Sequence, residues 1–519
     1  MAQSVVEHFL ALAARAPERP LLDFEGTTVT RGQLAESVRR TASALRARQH
    51  GSGERVALFL GTCAEFPALW LGLQLAGAAG IPVNTAYREV ELRHLLHHGG
   101  ASAVFTDAAG LPHLLPLLRE LPRLRLLVLV GPEADAIEGR LSLPAGVERL
   151  TLEALWSEGD PTESLPPPAG DSLAALGYTS GTTGRAKGAM LLHRNFEANV
   201  TAVAAAWEWT EADRLLLTLP LFHAHGLFVG LHGTLVCGGR VTLHRRFDAR
   251  AVLEALGRSE HTMFFGVPTM YGRLVELAGE AGHPLPSLRL LVSGSAPLSR
   301  ELHALVGERL GQRILERYGM TETGMNTTQP FRGVRRPGSV GRPFPGQEAR
   351  VVHPATRQPL PAGETGEIEV RGPHVFAGYW EDPAATAEAL DASGWFATGD
   401  LGSLDAQGEL SISGRAKELI ISGGFNVYPR EVEEVLLTHP DVAEAAVLGL
   451  PHPDLGEQVT AVIVPRGEPF ATESLVEHCR QRLAAFKKPR EITFASTLPR
   501  NALGKVQKHL LREALLRGR

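Results

Sequence analysis

The stretch Gly177-Tyr-Thr-Ser-Gly-Thr-Thr-Gly-Arg-Ala-Lys-Gly188 decides how this chain is read. Four glycines and four small hydroxyl residues share twelve positions, directly after the apolar Leu173-Ala-Ala-Leu176. Glycine lets backbone N–H groups turn inward, the hydroxyls add donors, and Lys187 adds a positive charge, a combination suited to a polyphosphate. The loop is not of the Walker type, in which the lysine precedes Ser or Thr; here Lys187 stands between Ala186 and Gly188.

Lys187 is conspicuous for a second reason. Of 52 basic residues only six are lysine: Lys187, Lys417, Lys487, Lys488, Lys505 and Lys508. A compact ammonium on a flexible stem does what a planar guanidinium cannot. Positions that keep lysine in so arginine-rich a chain are therefore candidates for chemistry.

Around the loop, apolar runs alternate with amphipathic patterns. Leu34, Val38, Ala42 and Leu45 predict a helix, and Val56–Leu60 a strand. A helix over 64–77, strands at 81–84 and 103–105, and a buried strand at 124–130 follow. Such alternation points to a mainly parallel α/β sheet. Pro161–Gly170 reads as a surface linker. From about residue 340 short strands with Gly, Pro and Asp turns predict a β-rich subdomain. The last stretch reads strand, turn, helix (Pro429–Leu437), strand (444–450), strand (460–465), helix (473–485) and basic tail, the size of a small α+β domain.

Composition narrows the function. The 519 residues suffice for two to four domains. A net charge of −5 without long runs of either sign disfavours nucleic acid or an acidic membrane as partner. Cys63, Cys237 and Cys479 lie too far apart to write a disulfide framework or zinc cluster. Glu7, His8, Arg15, Glu18 and Arg19 interrupt any signal-like apolar segment, and no apolar stretch approaches the ~18 residues of a membrane span. The expectation is a cytoplasmic protein, monomer or homodimer.

With the glycine-rich loop, four later motifs appear in order: Glu316-Arg-Tyr-Gly-Met-Thr-Glu-Thr323, Phe396-Ala-Thr-Gly-Asp-Leu401, Gly414-Arg-Ala-Lys-Glu-Leu-Ile420 with Ser422-Gly-Gly-Phe-Asn426, and Leu498-Pro-Arg-Asn-Ala-Leu-Gly-Lys505. Over essentially its whole length the chain resembles the adenylate-forming acyl-CoA synthetases, a family that includes nonribosomal adenylation domains and luciferases. The resemblance implies a large N-terminal domain over 1–414, built of layered α/β sheets plus the β-rich subdomain, and a small mobile C-terminal α+β lid over 415–519. It implies a ligase that joins a carboxylic acid to coenzyme A at the expense of ATP, with Mg²⁺, through an acyl-adenylate.

The same resemblance distributes roles. Thr179, Ser180, Gly181, Thr182, Thr183, Gly184 and Lys187 would take the β- and γ-phosphates. Glu322 and Thr182 would hold magnesium, with Thr321 near the phosphates. A lone carboxylate suits an ion that keeps phosphate oxygens and water as its other ligands. Asp400 would anchor the ribose, with Arg415 beside it. Gly294, Ser295 and Ala296 would form one wall of the adenine pocket and Tyr318 the other, within the run Glu316, Arg317, Tyr318, Gly319, Met320 and Thr321. Lys505 would be the catalytic lysine bridging the substrate carboxylate and the α-phosphate, and Lys417 the hinge. After adenylation the lid would turn, withdraw Lys505 and present Ser422, Gly423, Gly424 and Phe425 to CoA.

For the acid itself, Leu219-Pro-Leu-Phe-His-Ala-His-Gly-Leu227 carries His223 at a family-wide tunnel position and His225 in a run similar to that of malonyl-CoA synthetases. A helix starting at Pro268 would bury Met270, Leu274 and Leu277 and leave Arg273 beside that apolar face. Ser295 and Met320 complete the expected acyl pocket. A guanidinium neutralises the distal carboxylate of a short diacid, whereas in a fatty-acid tunnel it would lack a partner. Malonate, or methylmalonate, is therefore the expected acid. A medium-chain or aryl acyl-CoA synthetase, an enzyme loading a carrier protein, and a non-catalytic acyl or nucleotide sensor are the alternatives.

Overall fold

Buried apolar strands and the helices between them set the architecture of the large N-terminal part. The structure is a computed structural model that describes residues 4–134, 143–179, 186–423, 425–501 and 504–518. Among these, a seven-stranded sheet runs in the order Glu148–Thr151, Leu126–Leu129, Ala103–Thr106, Arg55–Phe59, Ala79–Pro82, Leu173–Thr179, Lys187–Leu192. It is parallel except for its last pair. A nine-stranded sheet has Met263–Gly266, Leu290–Ser293 and Ile314–Met320 side by side at its centre. The two sheets share one apolar core, in which Leu58 and Phe105 of the first and Leu217 and Phe265 of the second meet Trp70, Phe196 and Phe228. Strands buried on both faces read as continuous hydrophobic runs, which is why the sequence shows them so plainly.

The β-rich subdomain is an antiparallel sheet of Glu348–Val352, Gly366–Arg371, Phe396–Leu404 and Leu410–Arg415. Arg415 still pairs with Asp400 in that sheet, so the chain leaves it at the turn Ala416–Glu418. The C-terminal part forms its own five-stranded sheet and its own core around Val432, Leu436, Val447 and Leu475.

Three features differ from the sequence reading. The helix expected over 473–485 spans only Thr472–Arg480. The chain then turns through Ala485–Lys487, where the Phe486 ring stacks on Phe425 at 4.5 Å. The basic tail is itself helical over Lys508–Arg517. In the helix Pro268–Ala278 the buried stripe is Pro268, Tyr271, Leu274 and Val275, while Met270 is half-buried and Leu277 exposed. The Tyr271 hydroxyl donates to the Val292 carbonyl at 2.6 Å, which turns that face of the helix inward.

Candidate functional site

The glycine-rich loop is the mouth of a hairpin. Strand Leu173–Thr179 pairs antiparallel with Lys187–Leu192 and brings Thr179 opposite Lys187. Ser180, Gly181, Thr182, Thr183 and Gly184, expected to cradle phosphates, lie outside the described residues. A Cβ on Gly177 would sit 2.5 Å from Thr321 Cγ2, so glycine is what allows Thr321 to approach this strand.

A loop not singled out in the sequence completes this corner. Ala377 and Trp380 donate backbone N–H groups to Met190 and Gly188 along the outer edge of the hairpin, at 2.9 and 2.8 Å. Tyr379 is thereby placed between two groups that were predicted separately. Lys187 Nζ lies 5.1 Å from its ring centroid, and its hydroxyl donates to Glu322 Oε1 at 3.2 Å. The run Phe376-Ala-Gly-Tyr-Trp380 carried an aromatic–glycine signal, but nothing local tied it to residues 57 positions away.

Glu322 is buried, and burial pushes its carboxyl pKa up. A buried carboxylate with one hydroxyl donor is costly unless a cation joins it. Among the described residues no group of three metal-ligating side chains forms a protein cage. One buried carboxylate is the donor set magnesium uses when substrate oxygens supply the rest, so Mg²⁺ fits here.

Asp400 is held on both oxygens. Arg415 Nε donates to Oδ1 at 2.7 Å and the Tyr318 hydroxyl to Oδ2 at 2.5 Å. An ionised carboxylate accepts about four hydrogen bonds, so acceptor capacity remains for ribose hydroxyls. Tyr318 is buried with its oxygen committed to Asp400.

Next to it lies the least conventional group of the site. Arg317 is 4% exposed, has no carboxylate partner among the described residues, and its Nε finds no acceptor. Its Nη2 donates to Ser295 Oγ at 3.3 Å, and burial lowers its pKa to about 9. A Cβ on Gly294 would lie 2.4 Å from the guanidinium carbon, so this glycine makes room for the charge. Ser295 itself adopts a left-handed backbone (φ 67°), a conformation usually kept where function requires it. Ser295 Oγ stands 3.4 Å from His225 Nδ1. His225, in a wide-turned helical segment His225–Leu231, stacks on Phe265 with ring centroids 6.1 Å apart. Burial and the Arg317 charge keep both imidazoles neutral, with His223 at about 4 and His225 well below its ordinary value.

Glu316 is placed differently from its neighbours. Its Oε1 accepts from Gly338 N at 3.4 Å, and burial raises its pKa to about 7. Arg430 and Glu434, from the lid helix Pro429–Leu437, are the charges that reach it. Gly319 and Met320 follow on the same strand, with Met320 Sδ 4.0 Å from the Tyr318 hydroxyl. Ala296 is half-buried beyond Ser295.

The C-terminal part brings Lys505 to this cleft. Gly504, with φ 76°, packs so tightly that a Cβ would lie 2.8 Å from Thr269 Oγ1 on the helix Pro268–Ala278. Lys505 is largely buried; its pKa falls through burial first and the Arg415 charge second, with Asp400 and Glu418 acting in the opposite sense. Arg273 is exposed on the same helix, four residues after Thr269 and hence on the face turned to the lysine loop. Lys417 is exposed in the linking turn. Ser422 is buried, whereas Gly423 and Phe425 face solvent; Gly424 lies outside the described residues.

Known proteins share this family and fold. Residues 9–380 match the family described as AMP-binding enzyme, and 431–505 its C-terminal domain. A sulfoacetate–CoA ligase from Cupriavidus necator is 38% identical, covering 96% of this chain and 95% of its own. A feruloyl-CoA synthase from an Amycolatopsis species is 36% identical over 96% of each. The crystal structure of ATP-bound MatB from Rhodopseudomonas palustris superposes with a TM-score of 0.90 at 37% identity, covering 98% of both chains. No helix among the described residues is long and apolar enough to cross a membrane.

Proposed function

We infer the substrate from one premise: this chain belongs to the AMP-binding enzyme family, as an ATP-dependent acyl-CoA ligase that works through an acyl-adenylate. The acid is a short one that carries a second anionic group, and malonate is the one we assign. The observation that carries this is Arg317, a buried guanidinium that has no carboxylate partner among the described residues and lies beside Ser295 and His225. Leaving such a charge unpaired is costly, and a substrate anion is the missing partner. Arg273, on the helix face turned to the lysine loop, supplies a second cation from the lid side. The neutral imidazoles of His223 and His225 offer hydrogen bonds without repelling the guanidinium. Likeness to MatB and to a ligase for sulfoacetate, itself a short acid with a second anion, supports the same class.

The chemistry then follows the charges. Thr179 and Lys187, with the loop between them, take the β- and γ-phosphates. Asp400 takes the ribose hydroxyls, and the Gly294–Ala296 wall and Tyr318 flank the adenine. Glu322 and Thr182 would hold magnesium, which when bound would supply positive charge to the phosphate oxygens. Lys505 spans the attacking carboxylate and the α-phosphate, so that its ammonium follows the charge as the C–O–P link forms and pyrophosphate leaves. Movement about Lys417 then withdraws Lys505 and brings Ser422, Gly423, Gly424 and Phe425 to the adenylate. The CoA sulfur attacks the acyl carbon and AMP departs. A hinge of a few residues absorbs such a rotation.

Pyrophosphate release with malonate, methylmalonate, sulfoacetate, acetate, octanoate and ferulate tests the assignment. Malonate should show the highest kcat/KM. If octanoate or ferulate exceeds it by about tenfold, about 1.4 kcal/mol of transition-state preference, the diacid reading is wrong and the aryl or medium-chain one replaces it.

A further inference from the structure

Three of the six lysines, Lys487, Lys488 and Lys508, have no place in the scheme above, and Lys508 stands nearest in sequence to Lys505. Lys508 opens the helix Lys508–Arg517, three residues after Lys505. Its side chain is 18% exposed, and its Nζ lies 2.7 Å from Glu433 Oε1 and 3.2 Å from Glu418 Oε2. The two carboxylates come from different segments. Glu433 belongs to the lid helix Pro429–Leu437, where Oε1 also accepts from Val447 N at 2.8 Å. Glu418 closes the turn Ala416–Glu418 through which the lid is attached. A single ammonium therefore ties together the lysine loop, the lid helix and the linking turn.

The charge of Glu418 also reaches the Lys505 ammonium. The other cation within its field, Arg415, is already held by Asp400 at 2.7 Å. Two half-buried carboxylates side by side repel each other and demand a cation. With Lys508 in place the demand is met. Without it, Lys505, whose ammonium already feels the charge of Glu418, would compete for that carboxylate, and pairing would draw it out of the cleft.

We propose that Lys508 is a positioning residue for adenylation: it occupies Glu418 and Glu433 so that Lys505 stays free for the substrate, and it fixes the Lys505 loop to the turn about which the lid moves. This rests on the reading of Lys505 as the adenylation lysine. It also gives a physical reason for lysine here, since a small ammonium fits between two carboxylates from separate segments.

The test separates the two half-reactions in the full-length enzyme. ATP–pyrophosphate exchange with malonate reports adenylation, and thioester formation from supplied malonyl-adenylate and CoA reports the second step. In Lys508→Met, exchange kcat should fall by about thirtyfold while the KM for ATP and the thioester rate each change less than about twofold, since a misplacement of about 1 Å costs about 10²-fold. Lys508→Arg should retain exchange within about threefold, because charge is restored. Adding Glu418→Gln and Glu433→Gln to Lys508→Met should recover about tenfold of the loss, since the competing carboxylates are gone. Unchanged exchange in Lys508→Met, an equal fall in both half-reactions, or no recovery in the triple variant overturns the proposal. Should Lys508→Met not fold, Lys508→Gln, which keeps donors for both carboxylates without the charge, is read in the same assays. Lys505→Ala is the control. If it leaves exchange intact, the reading of Lys505 fails; if it abolishes exchange while Lys508→Met does nothing, only the present proposal fails.

Discussion

Replacing Arg317 by methionine isolates the charge on which the acid preference rests. Burial lowers the guanidinium pKa to about 9, and at about 1.36 kcal/mol per pH unit the displacement from its ordinary value corresponds to about 5 kcal/mol. Truncating one member of a buried, hydrogen-bonded charge pair costs about 2–5 kcal/mol, so kcat/KM for malonate should fall by roughly thirtyfold to several thousandfold. Methionine keeps much of the length of the side chain over Gly294, so the wall retains its shape. Propionate, which replaces the distal carboxylate by a methyl group, should react within about threefold of its wild-type rate or faster. The free protein should gain stability or hold it, because an unpaired buried charge is removed. The assay is pyrophosphate release with malonate and propionate in parallel, with KM for ATP measured at saturating acid. A parallel fall for both acids, or a raised KM for ATP with unchanged acid preference, would show that Arg317 serves the nucleotide and refute the reasoning.

Three further outcomes follow from the geometry. Tyr379→Phe removes the hydroxyl that Glu322 accepts from at 3.2 Å, so adenylation should slow by about tenfold and the magnesium requirement should rise, checked by exchange rates across Mg²⁺ concentrations. Lys505→Ala should abolish pyrophosphate exchange yet leave thioester formation from supplied malonyl-adenylate within about threefold. Glu316→Gln tests a pH effect. The folded carboxyl titrates at about 7 and the unfolded one at 4.5, so the folded state binds the extra proton and stability is lost as pH rises between them. The variant should therefore gain on the wild type by up to about 3 kcal/mol from pH 4.5 to 7.5, read from denaturant midpoints; an unchanged difference would show that Glu316 is not the group responsible.

Some elements were legible residue by residue. Pro429–Leu437 is a helix with the predicted bounds, because proline at its first turn and apolar residues at helical spacing are local signals. The helix at Thr472–Arg480 ends early because Phe486 has to meet Phe425, some sixty residues away, and nothing within the window says so. In Pro268–Ala278 the expected Leu274 is buried, but Tyr271 and Val275 rather than Met270 and Leu277 complete the stripe, for the same kind of reason: the Tyr271 hydroxyl finds a carbonyl on a neighbouring strand.

Sequence by itself determined the family's motifs, the alternation that makes layered sheets, and the separate C-terminal unit. Those rest on local spacing, glycine freedom and periodic burial, which short stretches express on their own. Tertiary structure alone decided which charges meet. Tyr379 between Lys187 and Glu322, Tyr318 and Arg415 on Asp400, Lys508 between Glu418 and Glu433, and the unpaired Arg317 all depend on strands and loops far apart in the chain. Spacing assigns a residue to a face of its own element, but the partner across that face, and hence the cost of its charge, is fixed only when the elements pack.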